Sequence, residues 1–195
     1  MRILLLSAVC LALCACSVVS PSLPSFPCDA AGPSSIETLI CQTPELAELD
    51  KELDRVYAAA ASGAEQADLL SAYQRGWVKG RNECWKSADP QGCTRESYRT
   101  RISELKAQYR LIPASARVDC LCGGAQETLS VSFFPSLIPT AVAHFRGQSS
   151  LMFQQPAASG SRYQGRNESL WEHQGEARLV WGYGAEPLNC VKVRR

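Results

Sequence analysis

The spacing of apolar residues changes near residue 112, and that change divides the chain. From Ser34 to Leu111 apolar side chains recur every three or four positions, as on one face of an α-helix. Leu46, Leu49, Leu53, Val56 and Tyr57 form one such set; Leu69, Leu70, Tyr73, Trp77 and Val78 a second; Tyr98, Ile102, Leu105 and Tyr109 a third. This predicts a module of three helices. Ser34-Ser35-Ile36-Glu37 has capping-box spacing. Thr43 is placed to cap the helix that restarts at Pro44, whose missing N–H costs nothing in a first turn, and Glu45 suits the positive helix end. Gly63 marks a stop, and "SADPQGC" (87–93) reads as the turn before a third helix beginning near Thr94. Glu45, Glu48, Asp50, Glu52 and Asp54 read mostly as a solvated helix face, with contact to a basic partner as the alternative. After "IPASAR" the period becomes two. Leu129, Val131 and Phe133 alternate with polar neighbours, and "TAVAHF", "SLMF", "ESLW" and "ARLVW" are short apolar runs between Gly, Pro, Asn and Gln. Closely spaced short strands predict an all-β sandwich or small barrel. The fold class is therefore α+β in separate domains: a three-helix module, then a small antiparallel β-domain.

Composition narrows the setting. With 46% apolar and 20% charged residues the chain is globular rather than disordered, and a net charge of +1 lacks the basic excess of a nucleic-acid binder. Residues 1–15 have the layout of a secretion signal, too short to span a bilayer comfortably. "LCAC", ending at Cys16, resembles a bacterial lipobox, which makes Cys16 a lipidation site and residues 16–27, rich in Ser and Pro, a tether. Ser17 lacks the Asp that retains lipoproteins at the inner membrane, so the expected address is the periplasmic side of the outer membrane; the alternative is a signal cut near Ala15 that leaves a soluble periplasmic protein. Export makes the remaining cysteines disulfide candidates. Cys28, Cys41, Cys84 and Cys93 fall in the helical part, where four cysteines allow three pairings. Cys120, Cys122 and Cys190 fall in the second part, so one thiol is left over; Cys190 would tie the last strand to the first through Cys120 or Cys122. A metal site at these three lacks a fourth ligand by spacing.

Longer words then carry a resemblance. "PCDAAGPSSIETLICQTPELAELDKELDRVYAAA", "YQRGWVKGRNEC" and "RTRISEL" resemble the LprI-type lysozyme-inhibitor N-terminal domain, which assigns residues 28–112 to it. Cys122 to Gly124, "SGSRY" (159–163), "W…GEA" (171–177) and Cys190 resemble the MliC/PliC inhibitors of c-type lysozyme, which assigns residues 117–195. The second resemblance implies an eight-stranded antiparallel barrel that blocks a c-type lysozyme cleft with a loop, without catalysis or cofactor. It also implies that Cys122 pairs with Cys190, leaving Cys120 free.

The chemistry fits the implied role. A lysozyme cleaves glycan with one protonated and one ionised carboxyl group. A hydroxyl both donates and accepts, so one Ser can serve both. Ser159 matches the family's Ser, beside Gly160 on a loop able to enter a cleft, with Tyr163 completing the motif. The family's second element is a Lys shortly after the Trp. This chain reads "WEHQG" there, one residue longer and without Lys, so counting from either end places His173 or Gln174 at the Lys position. An imidazole is mostly neutral at pH 7 and gains its charge as pH falls through about 6.5. The C-terminal part is slightly basic, with eight Lys and Arg against six Asp and Glu from Arg117 onward. Long-range steering toward a basic lysozyme is therefore poor, and affinity rests on fit and short-range bonds. Two rival readings are a hydrolase using Ser159 and His173, disfavoured because no strand-nucleophile-helix elbow surrounds Ser159, and a non-inhibitory envelope module that binds glycan or another envelope protein.

Overall fold

The computed structural model describes residues 23–29, 34–124 and 126–193; the leader and Cys16 lie outside them. The N-terminal module has four α-helices rather than three: α1 (Ser35–Gln42), α2 (Pro44–Gly63), α3 (Ala67–Asn82) and α4 (Pro90–Gln108), with a 3-10 turn (Glu83–Lys86) before α4. The extra helix is the one announced by the capping box. The Ser34 side chain accepts from the Glu37 N–H at 3.1 Å, and the Glu37 carboxylate accepts from the Ser34 N–H at 2.7 Å. Pro44 ends α1, because it cannot donate to the ladder and its ring clashes with the preceding turn. Thr43 sits at the cap of α2 without a side-chain cap bond. The "SADPQGC" turn is itself a helix start. Asp89 accepts from Gly92 N–H at 2.9 Å and Pro90 takes the first helical position, so α4 begins four residues before Thr94.

The helical core gathers Ile36, Ile40, Leu46, Leu53, Val56, Leu70, Tyr98, Ile102 and Leu105. Its centre is polar. Asp50, expected on a solvated face, is 6% exposed. It accepts from Tyr98 Oη at 2.7 Å and from both the N–H and the hydroxyl of Ser25. Arg81, 4% exposed, donates to Tyr98 Oη at 2.7 Å and lies 3.8 Å from both Asp50 and Glu37. A buried carboxylate persists only when so satisfied, and periodicity alone does not reveal a partner 48 residues away. Glu45 and Glu52 are also engaged, with Arg95 and with Lys106 and Arg55. Ser25 and the packed Phe26 show that the last part of the expected tether is docked on the module. Cys28 pairs with Cys41, and Cys84 with Cys93.

The second part is a closed up-and-down barrel of eight antiparallel strands: β1 (Ala116–Cys122), β2 (Glu127–Phe134), β3 (Thr140–Phe145), β4 (Gln148–Gln155), β5 (Ser161–Gln164), β6 (Glu168–His173), β7 (Glu176–Trp181) and β8 (Leu188–Lys192), with β8 paired back to β1. Closure leaves no edge strand. Leu129, Val131, Ala141, Ala143, Phe145, Met152, Leu170 and Leu179 fill the interior, with Phe133 packed against them. Cys122 and Cys190 are facing residues of β1 and β8 and form the third disulfide, across 68 residues of sequence. Among the described residues Cys120 is the free thiol, buried, and its burial raises its pKa. Among the described residues no cluster of ligating side chains suits a metal. His144 is exposed and bonded to Ser149.

The two parts touch. α4 packs over the outer faces of β3 and β4, where Ala107, Phe134, Val142 and Leu151 line a groove. The N–H of Ile138 donates to Ser103 Oγ at 2.9 Å, and Arg99 donates to the Leu137 carbonyl at 3.2 Å. Phe134 points outward yet is 4% exposed, which explains why two phenylalanines stand side by side at the end of β2: one faces the barrel core and the other the seam.

Candidate functional site

Strand β4 ends at Gln155 and β5 begins at Ser161, so residues 156–160 form a short loop at the barrel rim. Ala157, Ala158, Ser159 and Gly160 are all exposed. Two contacts hold the loop against β6. The Trp171 indole N–H donates to the Ser159 carbonyl at 3.0 Å. Gly160 lies so close to β6 that a Cβ there would stand 2.0 Å from the Glu172 carbonyl oxygen, and its φ is +69°. Only glycine meets both demands. The loop is therefore fixed by its backbone, and the Ser159 hydroxyl has no hydrogen-bond partner among the described residues.

The other expected residues separate into different places. Tyr163 turns into the barrel, 7% exposed, with its ring 5.3 Å from that of Phe133, and burial raises its pKa. Its ring is part of the barrel core rather than of the exposed loop. His173 lies at the end of β6 and stacks on Trp171, with ring centroids 5.6 Å apart and planes 13° apart. Gln174 and Gly175 form the two-residue turn joining β6 to β7, both with positive φ, 51° and 88°. Gln174 is the exposed tip of that hairpin, while His173 is half-buried against the tryptophan. Ser159 and His173 do not share a hydrogen bond. The extra residue in "WEHQG" is thus accommodated by the tight turn.

Three cations escaped the sequence reading. Lys192, on β8, pairs with Glu172. Arg162 and Arg178 flank Trp171 in register on β5 and β7. Their alternation with buried neighbours indicated outward-facing positions; only the strand pairing places them beside the same tryptophan. They border a groove of about 510 Å³ that runs from the loop across the outer face of β5–β7.

Comparison with known proteins finds two families in succession along the chain. The family described as "Lysozyme inhibitor LprI" matches residues 28–105, and "Membrane-bound lysozyme-inhibitor of c-type lysozyme" matches residues 121–187. Lipoprotein LprI of Mycobacterium bovis, and the same-named protein of two Mycobacterium tuberculosis strains, are each 32% identical to the chain over 179 residues, covering 87% of it and 89% of their own length. The chain belongs to the LprI family. No solved structure matches it. In this LprI-family protein the motif residues Ser159, Gly160 and Trp171 form one connected unit at the barrel rim. Gln174 lies on the hairpin beside it.

Proposed function

We propose that this LprI-family protein is an exported envelope lipoprotein, anchored through Cys16, that inhibits c-type lysozyme by inserting the 156–160 loop into the catalytic cleft. The observation that carries the proposal is a loop locked by its backbone whose hydroxyl is exposed and uncommitted. Binding a preorganised loop avoids most of the ordering cost of association. Ser159 Oγ donates to the ionised carboxylate and accepts from the protonated carboxyl, satisfying both acids as water is excluded. Gln174 and His173 flank the loop from the β6–β7 hairpin and supply the second contact. The match of both halves of the chain to lysozyme-inhibitor families supports the target class.

Titration of purified protein into a c-type lysozyme assay tests the reading. Ser159→Ala is expected to raise the inhibition constant between tenfold and a hundredfold, corresponding to about 1.5–3 kcal/mol for a hydrogen bond to a charged group. Unchanged inhibition in that variant removes the loop from the mechanism, and no inhibition by the native protein favours the envelope-binding reading instead. His173→Ala and Gln174→Ala in the same assay decide the second contact: it belongs to whichever variant raises the inhibition constant more, and unchanged inhibition in both removes the hairpin from the mechanism.

A further inference from the structure

Beside the inhibitory loop, the outer face of β5–β7 carries a row of exposed side chains. Arg162, Trp171 and Arg178 are directly opposed on three neighbouring strands and form one row across the barrel wall. All three are exposed. Facing residues on adjacent strands stand close enough for their side chains to interact, so strand register puts an arginine on each side of Trp171. Neither arginine has an ion-pair partner among the described residues, and the remaining stretches contain no Asp or Glu. Elsewhere on the barrel Arg146 is paired with Glu127 and Lys192 with Glu172; Arg117 and Arg166 have no ion pair among the described residues either, but neither stands in register beside an exposed aromatic. The row opens onto the groove of about 510 Å³, whose walls include Ala158, Val180 and Pro187, with the Ser169 side chain, and no acidic residue. A second groove, of about 260 Å³, shares Trp171 and Arg178 and adds His173, Asn189 and Glu176, the one acid lining either groove, which makes no ion pair with Arg178.

We propose that this face is a binding site for a sugar bearing a carboxylate, with Arg162 and Arg178 holding the carboxylate and Trp171 and the apolar walls packing against the ring. The charge argument is that two unpaired guanidinium groups on one face recognise a planar anion through forked hydrogen bonds. The shape argument is that the groove, one wall of which is the 156–159 segment, is concave and within the size range of small-ligand sites. Ser169 in its lining and Asn189 in the adjoining smaller groove match ring hydroxyl or amide groups. A muramyl residue, with its lactyl carboxylate on an N-acetylated ring, is the simplest sugar of this chemistry. Trp171 also donates to the Ser159 carbonyl, so a bound sugar would contact the residue that holds the loop.

The test uses the whole protein without lysozyme, so its result is independent of the inhibition reading. N-acetylmuramic acid, N-acetylglucosamine and lactate are titrated separately while the Trp171 indole N–H resonance is followed by NMR, assigned from its absence in Trp171→Phe. The expected result is saturable binding of N-acetylmuramic acid at least tenfold tighter than either of the others, with Arg162→Gln and Arg178→Gln each lowering that preference severalfold. Both arginines are exposed, and circular dichroism checks that the variants remain folded. Equal binding of N-acetylglucosamine removes the carboxylate from the proposal. Equal binding of lactate removes the ring. Absence of binding by all three overturns the site. Weaker lysozyme inhibition by the arginine variants combined with no sugar binding reassigns the row to the protein interface and equally overturns it.

Discussion

The helical module and the barrel solve the problem of a small core in different ways. The module packs four helices around a centre that is partly ionic: Asp50, Tyr98, Arg81 and Glu37 are linked by hydrogen bonds and near ion pairs, and Ser25 closes the end. Its two disulfides span only 13 and 9 residues. The barrel has an almost wholly apolar interior, no edge strand and one disulfide spanning 68 residues. In the module, local crosslinks and a polar hub hold short helices whose apolar stripes are narrow. In the barrel, closure does that work, and the rim loop carries exposed residues that the core does not use. The buried acid belongs to the helical half, and the uncommitted Ser159 hydroxyl and the unpaired Arg162 and Arg178 to the barrel.

That contrast can be broken most directly at the disulfides. Replacing Cys122 and Cys190 with Ser is expected to cost the barrel about 4 kcal/mol on the chain-entropy relation, against about 2.5 kcal/mol for Cys84 and Cys93 in the module. Urea unfolding followed separately by near-ultraviolet signals and helical ellipticity reads both. Equal losses would mean that loop length is not what distinguishes the two halves. Next in size is Asp50→Asn, expected to cost the module about 2–3 kcal/mol through loss of bonds to a charged acceptor, while the barrel transition stays in place. A barrel that loses stability to the same extent would show that the α4 seam couples the two halves into one unfolding unit.

The smallest effect is at Glu37. The Ser34 backbone N–H bond, together with the Ser34 hydroxyl and Arg81, holds its carboxyl below the ordinary glutamate value despite partial burial. A carboxyl whose pKa is lowered on folding binds fewer protons in the folded state, so its stabilisation is present above the ordinary glutamate range and is lost as pH falls through it. Thermal unfolding at pH 6 and pH 3.5 should therefore show a steeper acid loss in the native protein than in Glu37→Gln, by less than about 1 kcal/mol given its partial exposure. Parallel acid losses would remove this capping box from the account of module stability.

Much of this architecture is legible along the chain because its causes are local. The change of apolar period near residue 112 reports the switch from helices to strands, and the capping box and Pro44 report helix ends within a few residues. Two misreadings share a physical origin. Asp89-Pro90 is equally good chemistry for a turn and for a helix start, and which one forms depends on whether the following residues find a core; Thr94 and Tyr98 do. Asp50 sits among four other acids on α2, and only the approach of Tyr98 and Arg81 from other helices makes its burial tolerable.

The site divides in the same way. The motif words brought out Ser159, Gly160 and the hairpin residues, because a two-residue positive-φ turn and a glycine-bound loop are written in neighbouring positions. That Gly160 rests on the Glu172 carbonyl, that His173 is stacked on Trp171 while Gln174 takes the tip, and that Tyr163 faces inward depend on the pairing of β5 with β6 and β6 with β7. The sequence by itself determined the two kinds of secondary structure, the boundary between them and the residue types available to a partner, since these follow from periodicity and local backbone preference. Only the tertiary structure decided which charges are neutralised and which remain free. Arg146 and Lys192 meet carboxylates across strands, whereas Arg162 and Arg178 meet only a tryptophan, because strand register and barrel closure, which bring distant residues within a few ångströms, are set by the packing of the whole interior.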